Sequence, residues 1–176
     1  MKNAIVTGAS NGIGLEISKK LSENNYYVGM IDIDKENLLK ESKNISNSVA
    51  IEGDVTNDES IKNALDTFDK TPDLIVNNAG IVIFGGLEEQ SIEDFKKSVD
   101  VSLIGSYLVS RLAIDSMIKK GSGCIINMSS INGVHPGPGT GGYPPAKAGI
   151  VSLTQQMSIE WGPYGIRTNS IAPGFI

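Results

Sequence analysis

The sequence predicts a single α/β domain, a doubly wound parallel sheet with helices on both faces. Short apolar runs bounded by turn residues alternate with longer stretches of helical periodicity, the pattern of successive βαβ units. Six such runs are present, and a glycine-rich turn follows the first of them. A chain of 176 residues is long enough for one full hydrophobic core, so residues 1–176 read as one domain.

In chain order, the first strand is Asn3–Thr7, which empties into Thr7-Gly8-Ala9-Ser10-Asn11-Gly12-Ile13-Gly14 and a helix over Gly12–Glu23. A second strand, Tyr27–Asp32, precedes a helix over Lys35–Asn44. A third, Ser48–Glu52, precedes Asp58–Asp69, with Asn57 placed to cap it. The fourth strand, Asp73–Asn77, leads to a long helical stretch, Ile92–Lys119, capped by Ser91 and expected to hold two helices. The fifth, Gly123–Met128, is followed by the Gly/Pro-rich loop Gly133–Pro145, then by helical spacing over Gly142–Trp161 and the last strand, Arg167–Ile171. The strands are mostly apolar, as expected when both faces are covered.

Composition narrows the function. Hydrophobic residues make up 40% of the chain, which places it among globular proteins. The net charge of −5 argues against general attraction to nucleic acid or to anionic membrane surfaces. The single cysteine, Cys124, can form neither an intramolecular disulfide nor a multi-thiolate metal site, and its run Cys124-Ile125-Ile126 reads as a buried strand. No metal site is expected. The N-terminus enters a strand-and-turn pattern without a signal-like apolar region, and nothing approaches eighteen consecutive apolar residues, so a cytoplasmic protein is expected.

The glycine turn after the first strand allows close backbone approach just where a helix presents its positive end, a place for a pyrophosphate. The candidates there are Gly8, Ser10, Asn11, Gly12, Ile13 and Gly14, although the same spacing also serves a plain helix entry. Asp32, 24 residues after Gly8 at the end of the second strand, lies where a dinucleotide fold puts a carboxylate on the adenosine ribose, with Asp34 a rival for that role. A carboxylate repels the 2′-phosphate of NADP, and Asn11 brings no compensating positive charge, so NAD is expected over NADP. Tyr143 and Lys147, four residues apart, share one helix face. An ammonium beside a phenol favours its charged form, which is how a tyrosine can exchange protons with an alcohol or carbonyl oxygen near neutral pH. The same spacing also suits an ordinary surface pair.

Taken together, the glycine turn from Thr7 to Gly14, Asp54-Val55, Asn77-Asn78-Ala79-Gly80, Ser130, Tyr143-x-x-x-Lys147 and Pro173-Gly174 resemble, in order and spacing, the short-chain dehydrogenases/reductases. The resemblance runs from Ile5 to Gly174 and implies a Rossmann domain that oxidises a secondary alcohol or reduces the matching ketone. It implies that Tyr143 is the general acid/base, that Lys147 supports it and holds the nicotinamide ribose, and that Ser130 hydrogen-bonds the reacting oxygen. Ser129 is the alternative serine. It also implies that Asp54 and Val55 contact the adenine, that Asn78, Ala79 and Gly80 line the cofactor with backbone groups, and that Pro173 and Gly174 join the cofactor site. Homodimers or homotetramers through Ile92–Lys119 and Gly142–Trp161 are implied as well. His135, the only histidine, is assigned no role.

Three departures from the family pattern matter. Ser102 stands where members usually carry an asparagine that supports a proton relay toward the lysine. Pro144 and Pro145 require the helix to begin near Gly142, because proline is tolerated only in a first turn. Finally, Phe175-Ile176 follow Pro173-Gly174 directly, where members continue through a substrate-covering loop and a further strand. Without that region the last strand is expected to be an exposed edge, and catalysis weaker than nucleotide binding. A non-catalytic or degenerate truncated nucleotide-binding module is therefore the alternative function.

Overall fold

The computed structural model describes residues 1–175. Six parallel strands form one sheet in the order β3-β2-β1-β4-β5-β6: β1 Lys2–Thr7, β2 Tyr26–Asp32, β3 Ser48–Glu52, β4 Leu74–Asn77, β5 Gly123–Met128 and β6 Ile166–Ile171. Helices α1 (Gly12–Glu23) and α2 (Lys35–Ser42) cover one face. The other carries α3 (Asp58–Phe68), α4 (Ile92–Val99), α5 (Gly105–Lys120) and α6 (Tyr143–Trp161). The expected doubly wound sheet is present, with strand ends shifted by a residue. At β4 the shift has a visible cause. The Asp73 side chain accepts the main-chain N–H of Asn3 at 2.7 Å and pairs with Lys120, so Asp73 fastens the strand's entry from outside it.

Strand order reverses between β1 and β4. Chains leaving these neighbours turn to opposite faces, which opens a crevice at their carboxyl ends. Thr7 and Asn78 hold the crevice floor. The Thr7 hydroxyl accepts the main-chain N–H groups of Asn78 and Ala79, both at 3.1 Å, and the Asn78 amide donates to the carbonyls of Thr7 and Gly8 at 3.0 and 3.1 Å.

Beneath the crevice the core is built from in-register rows. Ile5, Ile75 and Ile125 lie side by side on the face of α3 and α5 and are fully buried. The row continues to Gly29 on β2, where a Cβ would approach the Phe68 ring to 2.7 Å, so the missing side chain makes room for that ring. One row higher the apolar pattern gives way to amides. Asn77 donates to Ser110 and to Asn127, each at 2.8 Å, and Asn127 donates to Thr154 at 3.0 Å, tying β4 and β5 to α5 and α6.

One expectation is refined and one corrected. Ile92–Lys119 holds two α-helices, α4 and α5, but without a break: the chain stays helical from Ile92 to Lys120 through a π-helical segment at Asp100–Ile104. No residue there breaks the helix. Gly105 keeps helical angles, φ −59° and ψ −41°, and its bare Cα packs against Val55, which a Cβ would approach to 2.8 Å. By length and composition this run could also cross a membrane, but half of its most apolar window is buried against the protein. Cys124, expected in a buried strand, is only half-buried, as is Ile126. Both point to the face of α1 and α2, which do not reach across β5, and there Arg167, Asn169 and Ile171 of β6 are exposed.

The helix signals fall as expected elsewhere. Asn57 and Ser91 accept the N–H groups of Ser60 and Asp94 at 2.8 and 3.0 Å, and Pro144 and Pro145 sit in the first turn of α6. The amide network gives the fold a measurable dependence. Asn127→Ala would leave Asn77 and Thr154 short of partners in a dry environment, and is expected to lower the unfolding free energy by about 2–4 kcal/mol in urea titration. A loss below about 1 kcal/mol would mean that the network is not holding α6 to the sheet.

Candidate active site at the sheet's carboxyl edge

A cavity of about 1110 Å³ runs along the carboxyl ends of the strands. Its middle is built by the glycine turn after β1. Gly8 and Gly12 take left-handed angles, φ +65° and +52°, and a Cβ at Gly8 would lie 2.9 Å from the backbone of Ala79. Gly14 is required for packing: a Cβ there would lie 2.1 Å from the Gly8 carbonyl oxygen. Of the turn residues, Gly8, Asn11 and Ile13 face the cavity. Ser10 does not. It is fully buried, its N–H donates to the Asp32 carboxylate at 2.9 Å, and its carbonyl accepts the Asn37 amide at 2.7 Å. Gly12 and Gly14 shape the turn without lining the cavity.

Asp32 and Asp34 separate clearly. Asp34 caps α2, its side chain accepting the N–H of Asn37 at 3.1 Å, whereas Asp32 lies half-buried in the cavity wall. The Asp32 carboxylate also accepts the N–H of Asp34 at 3.0 Å, so two main-chain donors fix its orientation toward the crevice. Beside it, Asp54 accepts from the N–H and hydroxyl of Thr56 at 2.9 and 2.7 Å, and Val55 closes the wall below.

Asn78, Ala79 and Gly80 form the middle of the wall, but the Asn78 side chain is committed to the floor contacts given above. Gly80 has a specific need to be bare. A Cβ there would lie 3.0 Å from the Lys147 Nζ and 3.4 Å from the Ser102 hydroxyl, so the two polar groups converge on this Cα. Ser102 is fully buried behind Gly80 rather than in the cavity wall, and its hydroxyl has no hydrogen-bond partner. Its carbonyl accepts the Ser106 hydroxyl at 2.7 Å.

The far end brings Ser130, Tyr143 and Lys147 together, with Pro173 and Gly174 beside them. Ser130 opens a short 3₁₀ turn, and its hydroxyl accepts the N–H of Asn132 at 3.2 Å. Ser129 is used differently. Its hydroxyl donates to the carbonyl of Lys147 at 2.8 Å and so fastens α6 to the end of β5. Lys147 is 4% exposed. Its Nζ donates to the Met128 carbonyl at 2.7 Å and lies 5.5 Å from the centre of the Tyr143 ring. Burial pushes the Lys147 ammonium down to a pKa of about 8. His135 is exposed on the loop.

The cavity also uses residues that the sequence does not single out, among them Ile33, Phe84, Asn132 and Thr140. They sit on loops after strands, where only the chain's course decides what faces inward. The shape suits an elongated dinucleotide: a glycine turn at a helix N-terminus in the middle, a carboxylate at one end, and the hydroxyls of Ser130 and Tyr143 with Lys147 at the other.

The Lys147 environment gives a prediction whose sign is fixed. Its folded pKa of about 8 lies below the ordinary 10.5, so between these values the unfolded chain binds more protons and stability rises with pH. At pH 7 the buried ammonium costs roughly 3 kcal/mol. Without added nucleotide, Lys147→Met is expected to raise the unfolding free energy by about 1–3 kcal/mol at pH 7 and to change it little near pH 10. Urea titrations at both pH values check this, and equal gains at both would refute it.

Comparison with known proteins agrees with this architecture. The family profile described as short chain dehydrogenase matches residues 2–176. The chain is 37% identical to an uncharacterized oxidoreductase of Thermotoga maritima, covering 98% of this chain and 71% of that protein. It is 34% identical to an NAD-dependent glycerol dehydrogenase of Listeria innocua, covering 99% and 70%, and 35% identical to a 3-oxoacyl-[acyl-carrier-protein] reductase of Rickettsia conorii, covering 99% and 73%. Among solved structures, NAD⁺-bound xylitol dehydrogenase superimposes with a TM-score of 0.94 at 29% identity, covering 99% of this chain and 70% of that one. With residues 2–176 of the chain matched by this profile, the chain belongs to the short-chain dehydrogenase family of oxidoreductases.

Proposed function

We propose that the protein transfers a hydride between NAD(H) and a secondary alcohol or ketone, with Tyr143, Lys147 and Ser130 as its catalytic residues. The carrying observation is that these three side chains close one end of the cavity whose other end is walled by Asp32. The nicotinamide supplies the hydride chemistry, and the polypeptide supplies orientation and a proton. Tyr143 holds its phenolic proton at the substrate oxygen, giving it up when a ketone is reduced and taking one back when an alcohol is oxidised. Ser130 donates a hydrogen bond to the same oxygen and so fixes its position. Lys147 places a cation beside the phenol, and its bond to the Met128 carbonyl sets where that cation sits.

The preference for NAD rests on Asp32. Its carboxylate accepts ribose hydroxyls readily and opposes a 2′-phosphate in the same place. The name of the Listeria relative and the NAD⁺ in the xylitol dehydrogenase structure support this reading. We place self-association on the face formed by the end of the π segment and the start of α5, where Ile104, Tyr107 and Leu112 are 48%, 46% and 39% exposed.

Titration with NADH and NADPH, followed by nicotinamide fluorescence, tests the nucleotide reading. NADH is expected to bind more tightly, and Asp32→Ala to weaken it about tenfold while narrowing the gap to NADPH. Turnover is then assayed on polyols, sugars and 3-oxoacyl thioesters. Tyr143→Phe is expected to lower kcat roughly a hundredfold or more without weakening NADH binding. Tight NADH binding with no turnover of any substrate would leave a nucleotide-binding module in place of an enzyme. Sedimentation is expected to give a dimer or larger, and a monomer would overturn the assignment of the α5 face.

A further inference from the structure

We propose that Gln90 is a positioning residue for Tyr143, an inference that rests on the catalytic reading above and extends it to a residue outside the cavity's motifs. Gln90 ends the loop that leaves β4, 53 residues before Tyr143. Its side-chain amide is half-buried and used at both ends. The Oε1 accepts the main-chain N–H of Gly142 at 2.8 Å, and the Nε2 donates to the Ile83 carbonyl at 2.8 Å. Because one partner is a donor and the other an acceptor, the orientation of the amide is determined by its partners.

The surrounding backbone is shaped to admit this side chain. Gly141 has φ +45°, and a Cβ on it would lie 2.1 Å from the Gln90 Oε1. Gly142 presses on Phe95, whose carbonyl oxygen and Cα a Cβ would approach to 3.0 and 3.1 Å. One strand-like contact runs alongside: the N–H of Gly85 donates to the Gly139 carbonyl at 3.0 Å, and Gly85 and Thr140 form a parallel bridge. The segments 83–90 and 139–142 therefore form one strap, with Gln90 as the only side-chain hydrogen bond between them among the described residues.

This tie acts on the residue directly before the candidate acid/base. Pro144 and Pro145 forbid the helix from starting earlier, but nothing in α6 itself stops its first turn from shifting sideways. Gly142, its cap, has no side chain to bond the turn. Gln90, from another part of the chain, holds the turn in a different way, by accepting the main-chain N–H of Gly142 itself. It thereby ties the main chain just before Tyr143 to the β4 loop, which carries Phe84 at the cavity wall. Misplacement of a reacting group by about 1 Å can cost roughly a hundredfold in rate, so a main-chain anchor one residue away acts directly on kcat.

The test uses Gln90→Leu, which keeps side-chain size and removes both hydrogen bonds, and Gln90→Glu, which keeps the acceptor for Gly142 and loses the donor to Ile83. On the whole chain we would measure NADH affinity, kcat and KM on the substrate that the turnover assays identify, and amide exchange by NMR. Gln90→Leu is expected to lower kcat roughly tenfold to a hundredfold with NADH affinity unchanged within about twofold. It should also speed exchange of the Gly142 amide at least about tenfold while leaving those of Ser10 and Asn78 unchanged. Gln90→Glu is expected to retain Gly142 protection, to lose less kcat, and to approach the wild type as pH falls and its carboxyl gains a proton able to donate. An unchanged kcat, or a fall in kcat matched by a loss of NADH affinity, overturns the proposal. If the wild type turns over nothing, the catalytic reading has failed by itself. The exchange data then decide the anchor alone, and unchanged Gly142 exchange in either variant that folds, Gln90→Leu first, overturns it.

Discussion

The site depends on a splice only two residues wide. Where β1 and β4 part company, Thr7 offers one hydroxyl to two successive N–H groups, and Asn78 returns its amide to two successive carbonyls. These four bonds replace ladder pairing at the point where parallel neighbours must diverge. They also explain the glycines around them, since Gly8 and Gly14 leave room for the Asn78 amide, which a Cβ at either would approach to 2.9 or 2.5 Å. Asp32 on one side and Ser130, Tyr143 and Lys147 on the other are mounted on opposite sides of this splice, so their spacing is set by buried strands rather than by loops.

The end with Ser130, Tyr143 and Lys147 carries a different constraint. A lysine that is almost fully buried opposes folding, and its single carbonyl bond offsets that only in part. The surroundings are arranged to keep it there: Ser129 holds the main chain of Lys147 itself, Gly80 leaves space beside its Nζ, and Gly133 lets the turn after β5 approach its carbonyl, which a Cβ would meet at 2.8 Å. Such strain is common where a group is placed for chemistry rather than for stability.

Much of this was legible in the residue order. Alternating apolar and periodic segments give the sheet and five of its covering stretches, and the glycine turn, Asp32, Ser130, Tyr143 and Lys147 come together at one edge as the resemblance implies. What escaped has physical reasons. The π segment at Asp100–Ile104 leaves no mark in composition, because it changes a hydrogen-bond step and not a residue preference. The choice between Asp32 and Asp34 needed the start of α2, which turns Asp34 into a cap. Cys124 looked buried because periodicity reports a strand's own character and not which helix lies over it. Gln90 was invisible because both of its partners are main-chain atoms, one of them 52 residues away.

The opening turn of α6 has one more effect, on what the cavity can offer an oxygen atom. Helices ordinarily begin with several free N–H groups that attract water or an anion. Here the N–H of Tyr143 is taken by the Thr140 carbonyl, that of Ala146 by Gly142, and Pro144 and Pro145 have none. The main chain of this helix is thus silent toward solvent beside the site. On the proposed reading, an oxygen at this end meets the hydroxyls of Ser130 and Tyr143 and no free N–H from the first turn of α6, so where it docks is decided by side chains instead of a diffuse positive field.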